Sequence, residues 1–252
     1  MEKEEYLLKK RLLELAELCF QRDVPAHSDF LNLNEQTIFY SIIRELPPVP
    51  YILAGGFELA ERKIVCFLPS YMDESSFEPP VSCIRFTPLN ARFAEDLTHR
   101  DYLGSVMNLG IDRCKTGDIL LNDNETYLFC LEDMAPYIAG EMTRVRHTSV
   151  KTEICRPGEI SYTPRFEEIE GSVASVRLDS VLALAFRCSR SKILPYIQGE
   201  RVFINGKMAV SNSASLKEGD IVSVRGLGRF RYTGVRSETK KGRMFISVQK
   251  YC

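Results

Sequence analysis

Between Val81 and Ile154 the sequence switches between strand-like and helix-like segments, and the order of those switches limits the folds open to it. VSCIRFT (81–87) is strand-like and HRDYLGSVMNLG (99–110) is helical. GDILLN (117–122) and TYLFCL (126–131) read as strands split by a short turn at Asp123-Asn124-Glu125. EDMAPYIAGEMTRV (132–145) is helical, with Pro136 tolerated in the first turn, and SVKTEI (149–154) is a strand. The resulting order is β-α-β-β-α-β.

That is the split-βαβ order of ferredoxin-like folds and RNA-recognition modules, and it defines a central RRM-like domain over residues 80–156. Upstream, residues 2–22 form an amphipathic helix with Leu8, Leu12, Leu15 and Cys19 on one face. A second helix is expected from Asn32 to Leu46, with Asn32 as N-cap, Glu35 three residues on, and Ile38, Phe39, Ile42, Ile43 and Leu46 as its buried stripe. YIL (51–53) and KIVCFL (63–68) read as strands around Gly55-Gly56, which completes an N-terminal α+β domain over 1–79. Residues 157–172, rich in proline, glycine and acids, read as a linker. Beyond it, 173–252 reads as a third domain. VRLDSVLALAF is a helix, and Ser189 can cap a second one (190–198) that Pro195 must kink or shorten. RVFING (201–206) and IVSVRG (221–226) are strands, and GRFRYTG and RMFISVQKY form a closing hairpin around Lys240-Lys241-Gly242. The expected fold class is therefore α+β, in three small domains.

With 44% hydrophobic and 27% charged residues, the composition is that of a soluble globular protein. No run approaches the roughly 18 apolar residues of a membrane-spanning helix, and the N-terminus alternates charge with leucine, so a cytoplasmic chain without membrane contact is expected. Eight cysteines (Cys19, Cys66, Cys83, Cys114, Cys130, Cys155, Cys188, Cys252) include no C-x-x-C pair, and His27, His99 and His147 lie far apart. Neither a disulfide framework nor a metal site is expected. The net charge of −1 conceals a division: residues 170–252 carry 15 basic against 6 acidic residues, or +9, and the rest carries −10. Such asymmetry points to nucleic-acid binding by the basic part.

The basic part also carries linked motifs. Over residues 177–234, R-L-D-x-x-L is followed by S-R-S-K, V-F-I-N-G-K and L-K-E-G-D-I-V-S-V-R-G-x-G-R. This spacing resembles the αL RNA-binding domain named after small-subunit ribosomal protein S-four. Arg190 and Lys192 fall in the first turn of a helix, whose free N–H groups attract anions. Asn205, Gly206 and Lys207 form a tight turn that lets phosphate approach the backbone, and Arg225, Arg229 and Arg231 add positive charge. With Arg177, Ser189, Ser191 and Arg201, these are the candidate RNA-binding residues, suited to folded RNA read by shape and phosphate.

Three further segments, AGGFELAERK (54–63), THRDYLGSVMNLGIDRCKTGDI (98–119) and RHTSVKTEI (146–154), followed by the S-four-type module, resemble the YlmH-type proteins of Gram-positive bacteria. The resemblance implies a non-enzymatic, monomeric factor, encoded near cell-division genes, that acts in ribosome-associated quality control of stalled nascent chains. Its implied partners are rRNA and tRNA on the large ribosomal subunit, beside peptidyl-tRNA, and no cofactor is implied.

Two other readings are an RNA-modifying enzyme of the pseudouridine synthase kind and an adaptor linked to cell division. Arg177-Leu178-Asp179 matches the catalytic R-L-D of those synthases, but there the catalytic domain follows the RNA-binding module, and here the module is near the C-terminus. His99-Arg100-Asp101 resembles a kinase catalytic loop, yet Val106 stands where that loop has its metal-binding Asn. His99 and Arg100 are either a polar patch at a helix start or a secondary RNA contact. No G-x-G-x-x-G or P-loop is present, so no nucleotide cofactor and no catalytic residue is expected. Phe86, Tyr127 and Phe129 are either core or base-stacking platforms, and core is the commoner fate of strand aromatics.

Overall fold

Leucine spacing decides the first element. In α1 (Glu2–Arg22), Leu12, Leu15, Ala16 and Cys19 are buried along one face, with Leu8 packed beside them. The short strand β1 (Ala26–His27) leads to α2 (Leu33–Ser41). Its start is closed as expected: the Glu35 amide donates to Asn32 Oδ1 at 3.0 Å and the Asn32 amide to Glu35 Oε2 at 2.7 Å. The helix ends at Ser41, short of Leu46, and a 3₁₀ turn (Ile43–Glu45) carries the chain on to the prolines. β2 (Tyr51–Ala54) and β3 (Ile64–Phe67) complete an antiparallel sheet of order β1-β3-β2. The structure, a computed structural model, describes residues 2–122, 125–160, 166–239 and 242–251. The expected turn residues Asp123, Asn124, Lys240 and Lys241, positions 161–165 of the expected linker, and Cys252 lie outside these.

β3 serves two cores. Val65 and Phe67 pack with Leu12, Leu15, Phe39 and Ile42 of the helices, whereas Ile64, Cys66 and Leu68 face the opposite way. A strand covered on both faces reads as an unbroken apolar run, which explains KIVCFL.

The second cover is the central sheet. Its elements are β4 (Val81–Pro88), α3 (His99–Asn108), β5 (Thr116–Asn122), β6 (Glu125–Leu131), α4 (Ala135–Glu141), β7 (Arg144–Val145) and β8 (Thr148–Cys155). The sheet order is β5-β6-β4-β8-β7, so the predicted β-α-β-β-α-β succession is present with one short extra strand. That strand comes from the end of the expected 132–145 helix, because the backbone leaves helical geometry at Met142 (ψ 72°). α3 and α4 cover Ile84, Phe86, Leu128 and Cys130. On the other face, Val81, Cys83, Phe129 and Leu131 pack against Phe30, Ile64, Cys66 and Leu68. Residues 1–162 are one compact unit, because the seam core crosses the boundary expected at residue 79.

Two arginines brace the seam. Arg62 donates from Nη2 to the Phe30 carbonyl (2.9 Å) and from Nε to that of Thr116 (3.0 Å). Arg113 Nη1 donates to the carbonyls of Thr116 (2.7 Å) and Gly117 (2.9 Å). Gly117 is required there, since a Cβ would stand 2.8 Å from the Phe30 ring. The cysteines behave as small hydrophobes: burial pushes the Cys66 and Cys130 thiols up to about 12, and raises Cys83 as well.

Residues 163–252 form the second unit. It contains β9 (Phe166–Val173), α5 (Leu178–Ala185), α6 (Arg190–Gln198), β10 (Val202–Ile204), β11 (Lys207–Met208), β12 (Ile221–Val224), β13 (Gly228–Glu238) and β14 (Met244–Tyr251). The six strands order as β11-β10-β12-β13-β14-β9, with α5 and α6 packed on one face. One expectation is corrected here. Residues 166–172 are strand, not linker: Ile169 and Val173 enter the core, and Glu167 lies opposite Lys250 on β14. Gly171, a flexibility signal in the sequence, is a packing device, because a Cβ there would meet Leu184 at 2.6 Å. α6 has the expected span, Arg190–Gln198, so of the two effects allowed to Pro195, a kink or a shortening, the shortening does not occur.

The shared seam predicts a large single-site effect. Phe129 is fully buried and stacks on Phe57 at 5.0 Å, so Phe129→Ala is expected to cost about 3–5 kcal/mol, read as a lowered urea midpoint.

Candidate nucleic-acid interface

The candidate residues of the second unit fall into three groups. The first surrounds one buried carboxylate. Asp179, in the first turn of α5, is 1% exposed, and its backbone amide donates to the Asn212 carbonyl at 3.1 Å. Arg190, at the start of α6, donates from Nε to Asp179 Oδ2 at 3.1 Å and closes a second bond through Nη2. Arg177, at the N-cap of α5, brings Nε to 3.6 Å from Asp179 Oδ1. Asp179 thus joins the starts of two consecutive helices through their guanidinium groups. Sequence reasoning did not assign it this role. Arg190 is a held cation rather than a free one, although its side chain stays 54% exposed. Ser189 occupies the N-cap of α6, but its hydroxyl pairs with Ser191 Oγ at 2.8 Å instead of capping. Lys192 is exposed and, among the described residues, has no carboxylate partner.

The second group is the β10–β11 turn. Asn205 and Gly206 both have positive φ (48° and 76°), the geometry of a two-residue hairpin. The Asn205 side chain points inward: Nδ2 donates to Asp220 Oδ1 at 2.8 Å, and Oδ1 accepts from the Ile221 amide at 2.9 Å. It fixes the turn to β12 and leaves Lys207 as the exposed cation.

The third group lies on the sheet. Phe230 and Tyr232 face the helices, so strand alternation turns Arg229 and Arg231 to the helix-free face. Arg225, just past β12, stacks on Phe203, and Arg201 donates from Nη2 to the Arg225 carbonyl at 2.7 Å. A Cβ on Gly226 would stand 2.7 Å from the same Arg201 nitrogen, and Gly226 has φ 91°, so only glycine suits both constraints. No contact among the described residues ties the third group to Asp179.

In the first unit, His99 and Arg100 are exposed in the first turn of α3. The adjacent Asp101 closes the helix start, accepting from the Thr98 amide at 2.8 Å and the Thr98 hydroxyl at 2.7 Å. These bonds, helped by Arg146 at 3.5 Å, hold the Asp101 carboxyl below the usual carboxylate range. Of the two readings of the central aromatics, core is the one the structure shows for Phe86 and Phe129. Phe86 and Phe129 are fully buried, one under the helices and the other in the seam. Tyr127 is half-buried and donates to Glu125 at 2.5 Å, beside the Arg85–Glu153 pair at 2.6 Å. On that face Arg85 is held by Glu125 and Glu153, and Lys151 is exposed beside them. Among the described residues, no cluster of histidine, cysteine and acidic groups suits a metal ion, and no helix is long and apolar enough to cross a membrane.

Comparison with known proteins places this architecture. Residues 75–157 match a family model described as a putative RNA-binding domain in YlmH. The chain is 30% identical over 229 residues to ribosome-associated protein quality control protein P2 of Bacillus subtilis (strain 168), covering 88% of this chain and 86% of that one. The chain belongs to the YlmH family. The solved structure of cell division protein ylmH from Streptococcus pneumoniae is 21% identical and covers 62% of this chain and 93% of its own, with a TM-score of 0.49. In this YlmH-family chain, the matched 75–157 segment is the central β-α-β-β-α-β layer, whose open face the N-terminal sheet occupies.

The clamp is testable without RNA. Asp179→Asn keeps the shape and removes the charge that holds Arg190 and Arg177. The expected loss is about 2 kcal/mol of unfolding free energy, with faster solvent exchange of the Arg190 Nε proton by NMR. Wild-type stability would show that the clamp contributes nothing in solution.

Proposed function

We propose that this chain is a non-enzymatic RNA-binding factor of ribosome-associated quality control. It holds structured rRNA or tRNA on the large ribosomal subunit, beside peptidyl-tRNA, and works in the cytoplasm as a monomer. The observation that carries the proposal is the Asp179 clamp, which presents Arg190 at the start of α6, with Lys192 two residues on in the same first turn. A guanidinium fork held by one carboxylate keeps its outer N–H groups for a phosphate oxygen, and the free amides of the helix start add to the same field. Lys207 extends the positive surface from the hairpin turn. The surplus of basic residues in 170–252 supplies the salt-dependent attraction expected for a polyanion. The relative named for ribosome-associated quality control supports the cellular setting.

The clamp also speaks to the enzymatic alternative. Asp179 is enclosed and engaged by two guanidinium groups, so its chemistry here is to position cations. His99 and Arg100 remain a proposed secondary contact, exposed in the first turn of α3.

Arg190 is a poor test residue, because removing it strands a buried carboxylate. Lys192→Ala with Lys207→Ala is cleaner. The pair should weaken binding to folded RNA and to large subunits in sedimentation. It should also lower the slope of log affinity against log salt by about 1–2. Salt-independent binding by the wild type, or undiminished sedimentation of the variant, would overturn the proposal.

A further inference from the structure

The helix-free face of the six-stranded sheet carries an arrangement that phosphate attraction alone does not explain. Pairing places Phe203 opposite Ser223, Ser223 opposite Arg229, and Tyr251 opposite Phe166, so one row crosses five strands from β10 to β9. Within it the arginines lie on rings. The Arg225 guanidinium is 4.8 Å from the Phe203 centroid, and that of Arg229 is 4.4 Å from the Tyr251 centroid. Phe166 meets Tyr251 edge-on at 5.0 Å. At the rim, Arg201 lies over Tyr196 at 4.6 Å. Arg225 and Arg229 are exposed, while Phe203, Tyr251 and Phe166 are half-exposed around them.

The next row holds Arg231, Gln249 and Glu168. Glu168 is engaged, with Arg236 at 3.5 Å and a bond from the Ser247 hydroxyl at 3.1 Å. No Asp or Glu stands at the positions of the first row itself. A guanidinium lying on a ring has its donors directed sideways and its outer plane open. A planar, electron-rich partner stacks on that plane, and a neighbouring phosphate meets the edge donors. A rigid duplex keeps its bases stacked inside, so a row of flat cationic faces suits nucleotides already splayed out of pairing.

We infer that this sheet face is a second RNA surface, distinct from the Asp179 clamp, which takes unpaired nucleotides by stacking them on the Arg225–Phe203 and Arg229–Tyr251 pairs. The inference rests on the RNA-binding function proposed above and adds the kind of RNA bound and the residues Phe203, Tyr251 and Phe166. Charge complementarity favours nucleic acid as the occupant.

The test uses the full chain and two probes of about 12 nucleotides. One is an unstructured RNA containing 2-aminopurine and the other a blunt RNA duplex. The variant Arg225→Lys with Arg229→Lys keeps both charges and loses both planes. It should bind the unstructured RNA about tenfold more weakly, lose the fluorescence change of the stacked 2-aminopurine, and bind the duplex with a much smaller change. Duplex binding by the wild type, with unstructured-RNA affinity and fluorescence unaffected in the variant, overturns the stacking surface and leaves the clamp standing. A chain that binds neither probe overturns both. Equal weakening on both probes assigns these arginines to phosphate contact and also overturns the inference.

Discussion

The apolar seam between the two sheets of the first unit governs what the rest of the molecule is free to do. Phe30, Ile64, Cys66 and Leu68 meet Val81, Cys83, Phe129 and Leu131, so each sheet loses its open side to the other. Burial of aromatic and aliphatic side chains on this scale is the dominant favourable term in folding. It comes at the expense of a surface that a β-α-β-β-α-β layer standing alone would offer to a ligand. What remains outside the seam on that face includes Arg85, Lys151, Glu125, Glu153 and Tyr127, two cations against two carboxylates. The basic character of the chain is therefore spent in the second unit.

There, one buried carboxylate does the organising. Leaving Asp179 unpaired in the core of α5 would be costly, and the two arginines offset that cost while keeping much of their own surface in water. The sheet of the same unit organises its cations differently. Arg201, Arg225 and Arg229 lie on aromatic rings, and Arg201 also donates to a carbonyl. Carboxylates orient one set of guanidinium groups and aromatic faces the other.

Much of this was legible in the sequence, and the failures have physical causes. The capping box at Asn32 and Glu35, the hairpin turn at Asn205-Gly206 and the order of the central strands follow from local chemistry, and the structure shows them. β9 was misread because its glutamates and Gly171 resemble a linker in one dimension. They make sense only once Lys250, Arg187 and the side chain of Leu184 are beside them. Phe129 could not be assigned to core or surface by spacing, because the layer that covers it lies some sixty residues upstream. The clamp was half visible: Arg190 and Asp179 were both noticed, but nothing in a linear spacing says that a carboxylate in one helix will reach a guanidinium in the next. The cation–ring row was invisible for the same reason, since its members come from five strands.

The ladder between β9 and β14 has one more consequence. Phe166 and Tyr251, near the beginning and end of the second unit, are direct partners in that ladder, so the polypeptide enters and leaves at neighbouring points. A module closed in this way can be spliced between or appended to unrelated hosts without rethreading its interior. Such portability suits the nucleic-acid grip proposed for this unit.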